Sequence, residues 1–141
     1  MLLARALVVL AAVAGALLVW VVADPLLKAD LDVRFGDGGS VDHVAARAVA
    51  LTTLVLALIG WGVLELLERR YGTPRGDDFW VAIAVVAMLL SLLGPIIGGV
   101  TISATVGLLA IHIVAGGILI AFLPRPPTAP SVDDRPLWAR R

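Results

Sequence analysis

The run Ala104–Leu123, ATVGLLAIHIVAGGILIAFL, holds no Asp, Glu, Lys or Arg and a single ionisable group, His112. A helix of about 20 residues, rising ~1.5 Å per residue, crosses the ~30 Å hydrocarbon core of a bilayer. Lipid offers the backbone no hydrogen-bond partners, so such a run must satisfy itself as helix. Three more apolar stretches accompany it: 6–23, 48–67 and 79–97. They account for a 60% hydrophobic composition and a mean hydropathy of +1.01, where ordinary soluble domains are roughly 45–50% apolar. The expected fold is an all-α membrane protein, four transmembrane helices in an up-down-up-down bundle. One domain spans 1–127, with an outer loop at 24–47. Residues 128–141, proline-rich and mixed in charge, read as a disordered cytoplasmic tail.

The composition excludes several function classes. A net charge of zero gives no basis for nucleic-acid binding, and the absence of cysteine rules out disulfides and thiolate chemistry. His43 and His112 stand far apart in the chain and do not suggest a metal site. No phosphate-cradling loop, nucleophile elbow or helical zinc motif occurs, and no cofactor is expected.

Residues 6–23 raise the question of a signal peptide, since Arg5 precedes them and Val21-Val22-Ala23 passes as a cleavage site. The apolar run exceeds the usual 7–15 residues of a signal core, and Trp20 sits where an interfacial anchor belongs, so a retained span is expected. Pro25 ends it. In the following loop, Asp30–Phe35 alternates polar and apolar residues as a strand does, and Gly36–Gly39 reads as a turn. Ser40 is placed to cap a helix from Val41 to about Arg70, its first two turns, with His43 and Arg47, above the membrane. Glu65 and Arg69 form an exposed i,i+4 pair on that helix. Residues 71–78 read as a short polar loop. The third span starts at Phe79-Trp80 and meets Pro95, which kinks or ends it. Val100–Ser103 alternates again and is expected to lie beside the first strand, forming a small extracytoplasmic β cap.

Orientation follows from Lys and Arg near the span ends. Eight of the eleven fall at the N-terminus, in the second loop and in the tail; Lys28, Arg34 and Arg47 fall on the other side. Both termini are therefore expected in the cytoplasm of a multi-pass plasma-membrane protein. Trp20, Trp61 and Trp80 fall near the expected interfaces.

An ionisable residue inside a membrane is costly and suggests function by default. His112 lies ~12 Å below the outer end of its span, Ser91 ~9 Å and Thr52/Thr53 ~6–8 Å below theirs, so the four are expected to form one polar cluster. One reading is a proton-linked or ligand site. The other, which is favoured, is a neutral histidine hydrogen-bonded to Ser91 or the threonines, fixing helix register. Asp30-x-Asp32 resembles the metal-binding D-x-D of some sugar transferases, but a solvated strand face accounts for it. Asp37 and Asp42 would supply oxygens to a weak Ca²⁺ site, though solvated turn residues explain them better. Four-residue spacing of small residues, at Ala11/Gly15, Gly94/Gly98 around Pro95, and Gly117/Ala121, marks helix packing within the bundle or a dimer face.

Four segments, Trp20, Asp30–Val33, Ser91–Pro95 and Ile111–Ala115, carry a resemblance. Through them the chain resembles a family of small actinobacterial four-span membrane proteins of unknown function. The resemblance implies a four-helix membrane protein and brings no activity, cofactor or catalytic residue. The reading that results is a non-enzymatic accessory or structural membrane protein, in contact with lipid and with itself or another membrane protein. The alternative is a small transporter or proton-linked carrier organised around His112.

Overall fold

The computed structural model describes residues 2–34, 36 and 39–124. The tail expected at 128–141, together with Phe35 and Asp37, lies outside them. Among the described residues, four helical stretches are long and apolar enough to cross a membrane: Leu2–Leu26, Ala46–Tyr71, Thr73–Gly98 and Ile102–Phe122. The first comprises α1 (Leu2–Val21) and a π-helical turn (Val22–Leu26); the second is α2 (Ala46–Tyr71). The third is α3 (Thr73–Ser91) followed by the short α4 (Leu93–Gly98), and the fourth is α5 (Ile102–Phe122).

The helix α1 lies at the centre, packed on both α2 and α5, while α3 packs mainly on α2. Small residues make the central seam possible. Ala12 and Ala16 are completely buried, and a Cβ on Gly15 would come within 2.9 Å of Ile118 Cδ1 and 3.1 Å of Val114 Cγ1. Ala11, the expected partner of Gly15, is exposed instead.

The helix boundaries correct the sequence reading in two places. First, α2 begins at Ala46, five residues later than Val41, because Val41–His43 forms a strand, β2. Ser40 consequently caps no helix; its hydroxyl lies 3.3 Å from Asp42 Oδ2. Second, the loop at 71–78 shrinks to Gly72. Its φ of +80° reverses the chain, and Pro74 fits the first turn of α3, where its missing N–H costs nothing. Of the two outcomes expected at Pro95, the structure shows the kink: the third span bends and continues to Gly98. The Pro95 ring would collide with the carbonyl of Ser91, four residues back, and the helix breaks at Leu92 before resuming as α4.

The cap is also paired differently. The strand β1 (Asp32–Arg34) runs antiparallel to β2, with Asp32 opposite His43 and Arg34 opposite Val41. Among the described residues, the third loop pairs with this sheet through Gly99, bridged to Val33, and Val100, whose N–H donates to the Asp32 carbonyl at 3.2 Å. Thr101–Ser103 is no strand: Thr101 caps α5, its hydroxyl accepting from the Ala104 N–H at 3.0 Å. Beneath the sheet, Leu31 is completely buried in a core with Ala23, Val49 and Leu108. A second core at the opposite end gathers Val8, Ala57, Leu64, Trp80 and Leu123.

Candidate functional site

Polar side chains from different elements meet at the two ends of the bundle. At the sheet end, the backbone between the π-helical turn and β1 is tightly wound. Lys28 and Asp30 both take positive φ, +51° and +43°, and the Ala29 N–H donates to the Ala23 carbonyl at 2.9 Å. This winding directs Leu31 inward, where a Cβ on Gly107 would come within 2.7 Å of its Cδ2. The Leu31 N–H donates to Asp24 Oδ1 at 3.1 Å, and its carbonyl accepts from Val44 at 2.9 Å. The Trp20 indole donates to the Val44 carbonyl at 2.7 Å, joining α1 to the segment that leads into α2.

His43 stands over this arrangement. Its Nδ1 lies 3.0 Å from Asp32 Oδ1 and its Nε2 lies 3.4 Å from Asp24 Oδ2. Both ring nitrogens face carboxylates, and both can donate only in the imidazolium form. The bond to Asp32 pushes the His43 pKa above its ordinary value, and the Asp24 charge adds to this against the opposing effect of burial. His43 was expected near the start of α2; its place on β2 is what brings it opposite Asp32.

At the other end, Arg5 is 3% exposed although it belongs to an apolar helix. Its Nη1 donates to Glu68 Oε2 at 3.0 Å and to Glu65 Oε2 at 3.1 Å, and its Nη2 bonds Glu68 Oε1. The two glutamates occupy one face of the last turns of α2, three residues apart. Asp77, buried in the first turns of α3, adds a third acid at this end. Glu65 also accepts from Arg69 at 3.3 Å, as its spacing predicts. Nearby, the Trp80 indole donates to the Gly60 carbonyl at 2.7 Å, so Trp80 is a buried bridge between α3 and α2 and does not serve as an interfacial anchor.

The residues of the expected intramembrane cluster bond locally. His112 Nδ1 lies 2.8 Å from the Leu108 carbonyl, one turn back in its own helix, and Ser91 donates to the Met88 carbonyl at 2.7 Å. The structure therefore replaces the expected His112–Ser91 bond with one intrahelical bond on each side. Ser91 and Thr52 are exposed, while Thr53 and His112 are half-buried. Of the packing residues, Pro95 and Gly98 are buried, Gly94 is half-buried, and Gly117 and Ala121 are exposed. Among the described residues, no group of three or more His, Cys, Asp or Glu is arranged to hold a metal ion.

Sequence reasoning passed over Arg5 as a flanking charge. The available signal was an arginine at one end of α1 and an i,i+3 glutamate pair at the same end of the antiparallel α2. The Asp24–His43–Asp32 group was legible only once β1 and β2 were paired.

The chain belongs to the DUF6069 family, a family of unknown function, whose model matches residues 1–129. No curated protein and no solved structure matches the chain.

Proposed function

We propose that this member of the family is a non-enzymatic accessory protein of the plasma membrane that works through helix–helix contact with itself or another membrane protein. The observation that carries this reading is the outward placement of small residues that the bundle does not use. Glycine within a helix costs about 1 kcal/mol relative to alanine. At Gly15, Gly107 and Gly116 that cost has an internal reason, since a Cβ would meet Ile118, Leu31 or Met88 within 3 Å. Gly117 and Gly62 lie on exposed faces with nothing within 4 Å of an added Cβ. Gly117 and Ala121 share one helix face at the four-residue spacing that lets two helices approach closely in lipid. An approaching helix supplies the reason the bundle lacks. The His112 bond to Leu108 favours this reading over a carrier, because the ring is engaged within its own helix.

The positive-inside count supports cytoplasmic termini and, with them, a sheet end on the outer side. The resemblance carried by Ser91–Pro95 and Ile111–Ala115 supports an actinobacterial membrane as the setting.

A cysteine at Gly117, introduced into this cysteine-free chain, tests the reading in native membranes. Oxidative crosslinking is expected to give either a disulfide dimer or, with a bifunctional thiol–amine reagent, one defined heteromer. Adding Ala121→Leu, on the same exposed face, to the cysteine variant should abolish either product while leaving the bundle folded. A chain that stays monomeric under both treatments and copurifies with nothing overturns the reading. Uptake or proton flux in liposomes lost with His112→Ala would put the carrier in its place.

A further inference from the structure

We propose that the sheet end carries a pH-operated clasp, in which the His43 imidazolium ties Asp24 at the end of the first span to Asp32 on β1 and thereby holds Leu31 in the mouth of the bundle. The inference stands apart from the helix-contact reading above and rests on different residues.

The geometry supplies the argument. The three side chains come from three elements: the π-helical turn, β1 and β2. The carboxylates lie on opposite edges of the ring, so they clamp an imidazolium and do not frame a common ion. A neutral imidazole has one N–H and can keep only one of these bonds as a donor. Asp24 has a second duty, accepting the Leu31 N–H, so loosening the ring loosens the residue that positions the buried leucine. The ring side chain is 49% exposed, which gives bulk protons direct access.

The surroundings favour the cation. Asp32 and Asp24 are the charged groups acting on the ring among the described residues. Asp42, on the same strand, is hydrogen-bonded by Ser40. The helix α2 follows with exposed Arg47 in its first turn, and residues 98–103 of the third loop contain no titratable group. A folded-state pKa raised above the unfolded value contributes stability that is complete below about 6.5 and is lost as pH rises through the folded value. The cap is thus closed in acid and loosens towards alkaline pH. On release, Leu31 exposes an apolar recess formed with Ala23 and Gly107.

Hydrogen exchange of the Leu31 and Val44 amides tests this, using the full chain in lipid nanodiscs between about pH 5.5 and about 8.5, the range over which histidine titrates. After correction for intrinsic rates, opening is expected to rise about two- to fivefold across the titration, the scale of a half-exposed ion pair. His43→Gln should be high and flat across the range, and Asp42→Asn should keep the wild-type profile. A flat wild-type profile, or a pH dependence that survives His43→Gln, overturns the clasp. If His43→Gln misfolds, ring NMR titration of His43 decides: Asp32→Asn must lower the midpoint, and an unchanged midpoint overturns the proposal.

Discussion

The two ends of the bundle use the same chemistry, a cation held by two carboxylates, in opposite ways. At the sheet end the cation is a half-exposed histidine and the carboxylates lie on a turn and a strand. At the other end it is an arginine almost wholly removed from solvent, held by carboxylates on one helix. Arginine does not deprotonate in proteins, so the Arg5 link is permanent wherever the helices stay packed. Histidine changes charge within the physiological range, so the His43 link is conditional. Burial sharpens the contrast. Water and salt screen the exposed pair, whereas the buried one is barely screened and is costly to half-remove. One end reads as a fixed lock and the other as a latch.

The largest test of this contrast is Arg5→Leu. It strands Glu65 and Glu68 without their cation, and loss of one partner of a buried pair costs about 3–5 kcal/mol. Thermal or denaturant unfolding in mild detergent should show that loss. Arg5→Leu combined with Glu68→Leu should recover most of it, and Arg69→Ala, on the exposed pair, should cost under about 1 kcal/mol. An Arg5→Leu chain as stable as wild type would dissolve the distinction between lock and latch.

Glycine substitutions probe how rigid each end is. A Cβ on Gly76, at the lock, meets backbone: Glu68 N at 2.7 Å, Glu68 Cα at 2.8 Å and the Leu67 carbonyl carbon at 2.9 Å. One on Gly107, under the latch, meets the far end of the Leu31 side chain at 2.7 Å. Gly76→Ala should therefore cost about 2–3 kcal/mol, since two helices must separate, and Gly107→Ala about 1 kcal/mol, since a leucine rotates. Unfolding curves that reverse this order would mean the lock yields more easily than the cap.

The two indole bonds allow a finer comparison. Trp80→Phe removes the bond to Gly60 inside the span, and Trp20→Phe removes the bond to Val44 beneath the cap. Hydrogen bonds in membrane proteins average about 0.6 kcal/mol, and each variant should lose roughly that much global stability. Cysteine accessibility separates them: with Leu31→Cys as reporter, Trp20→Phe should speed labelling and Trp80→Phe should not.

The smallest effect is the pH dependence of stability. The wild type should lose under about 1 kcal/mol as pH rises through the His43 titration, and His43→Gln should lose none of it. Melting temperatures in detergent across that range check the sign; greater stability at alkaline pH would contradict the raised pKa.

Much of the architecture was legible in the residues, and the exceptions share a cause. Each span announced itself through a long apolar run, and Pro95 announced a break. The sequence reading put the start of α2 at Val41, because Ser40 and Asp42 imitate a helix cap. The competing claim, pairing of Val41–His43 with Asp32–Arg34, depends on a partner about ten residues away. His112 drew attention as the lone ionisable group in its run, yet a carbonyl four residues back was close enough to satisfy it. Arg5 drew none, because a single arginine near a helix end is ordinary in a membrane protein and its meaning depends on what stands beside it.

Hydropathy and length alone set the number of crossings, because each residue's transfer into lipid and each helical hydrogen bond is local to its own segment. The kink at Pro95 is equally local, since the proline ring clashes with a carbonyl one turn back. The choice of which helix stands at the centre, which glycines face inward, and which carboxylates meet Arg5 and His43 belonged to the packed bundle. Those outcomes depend on contacts between residues distant in the chain, such as Arg5 and Glu68, 63 positions apart, and no local pattern encodes them. Charge pairs depend on distance and burial together, and both exist only once the helices have closed on one another.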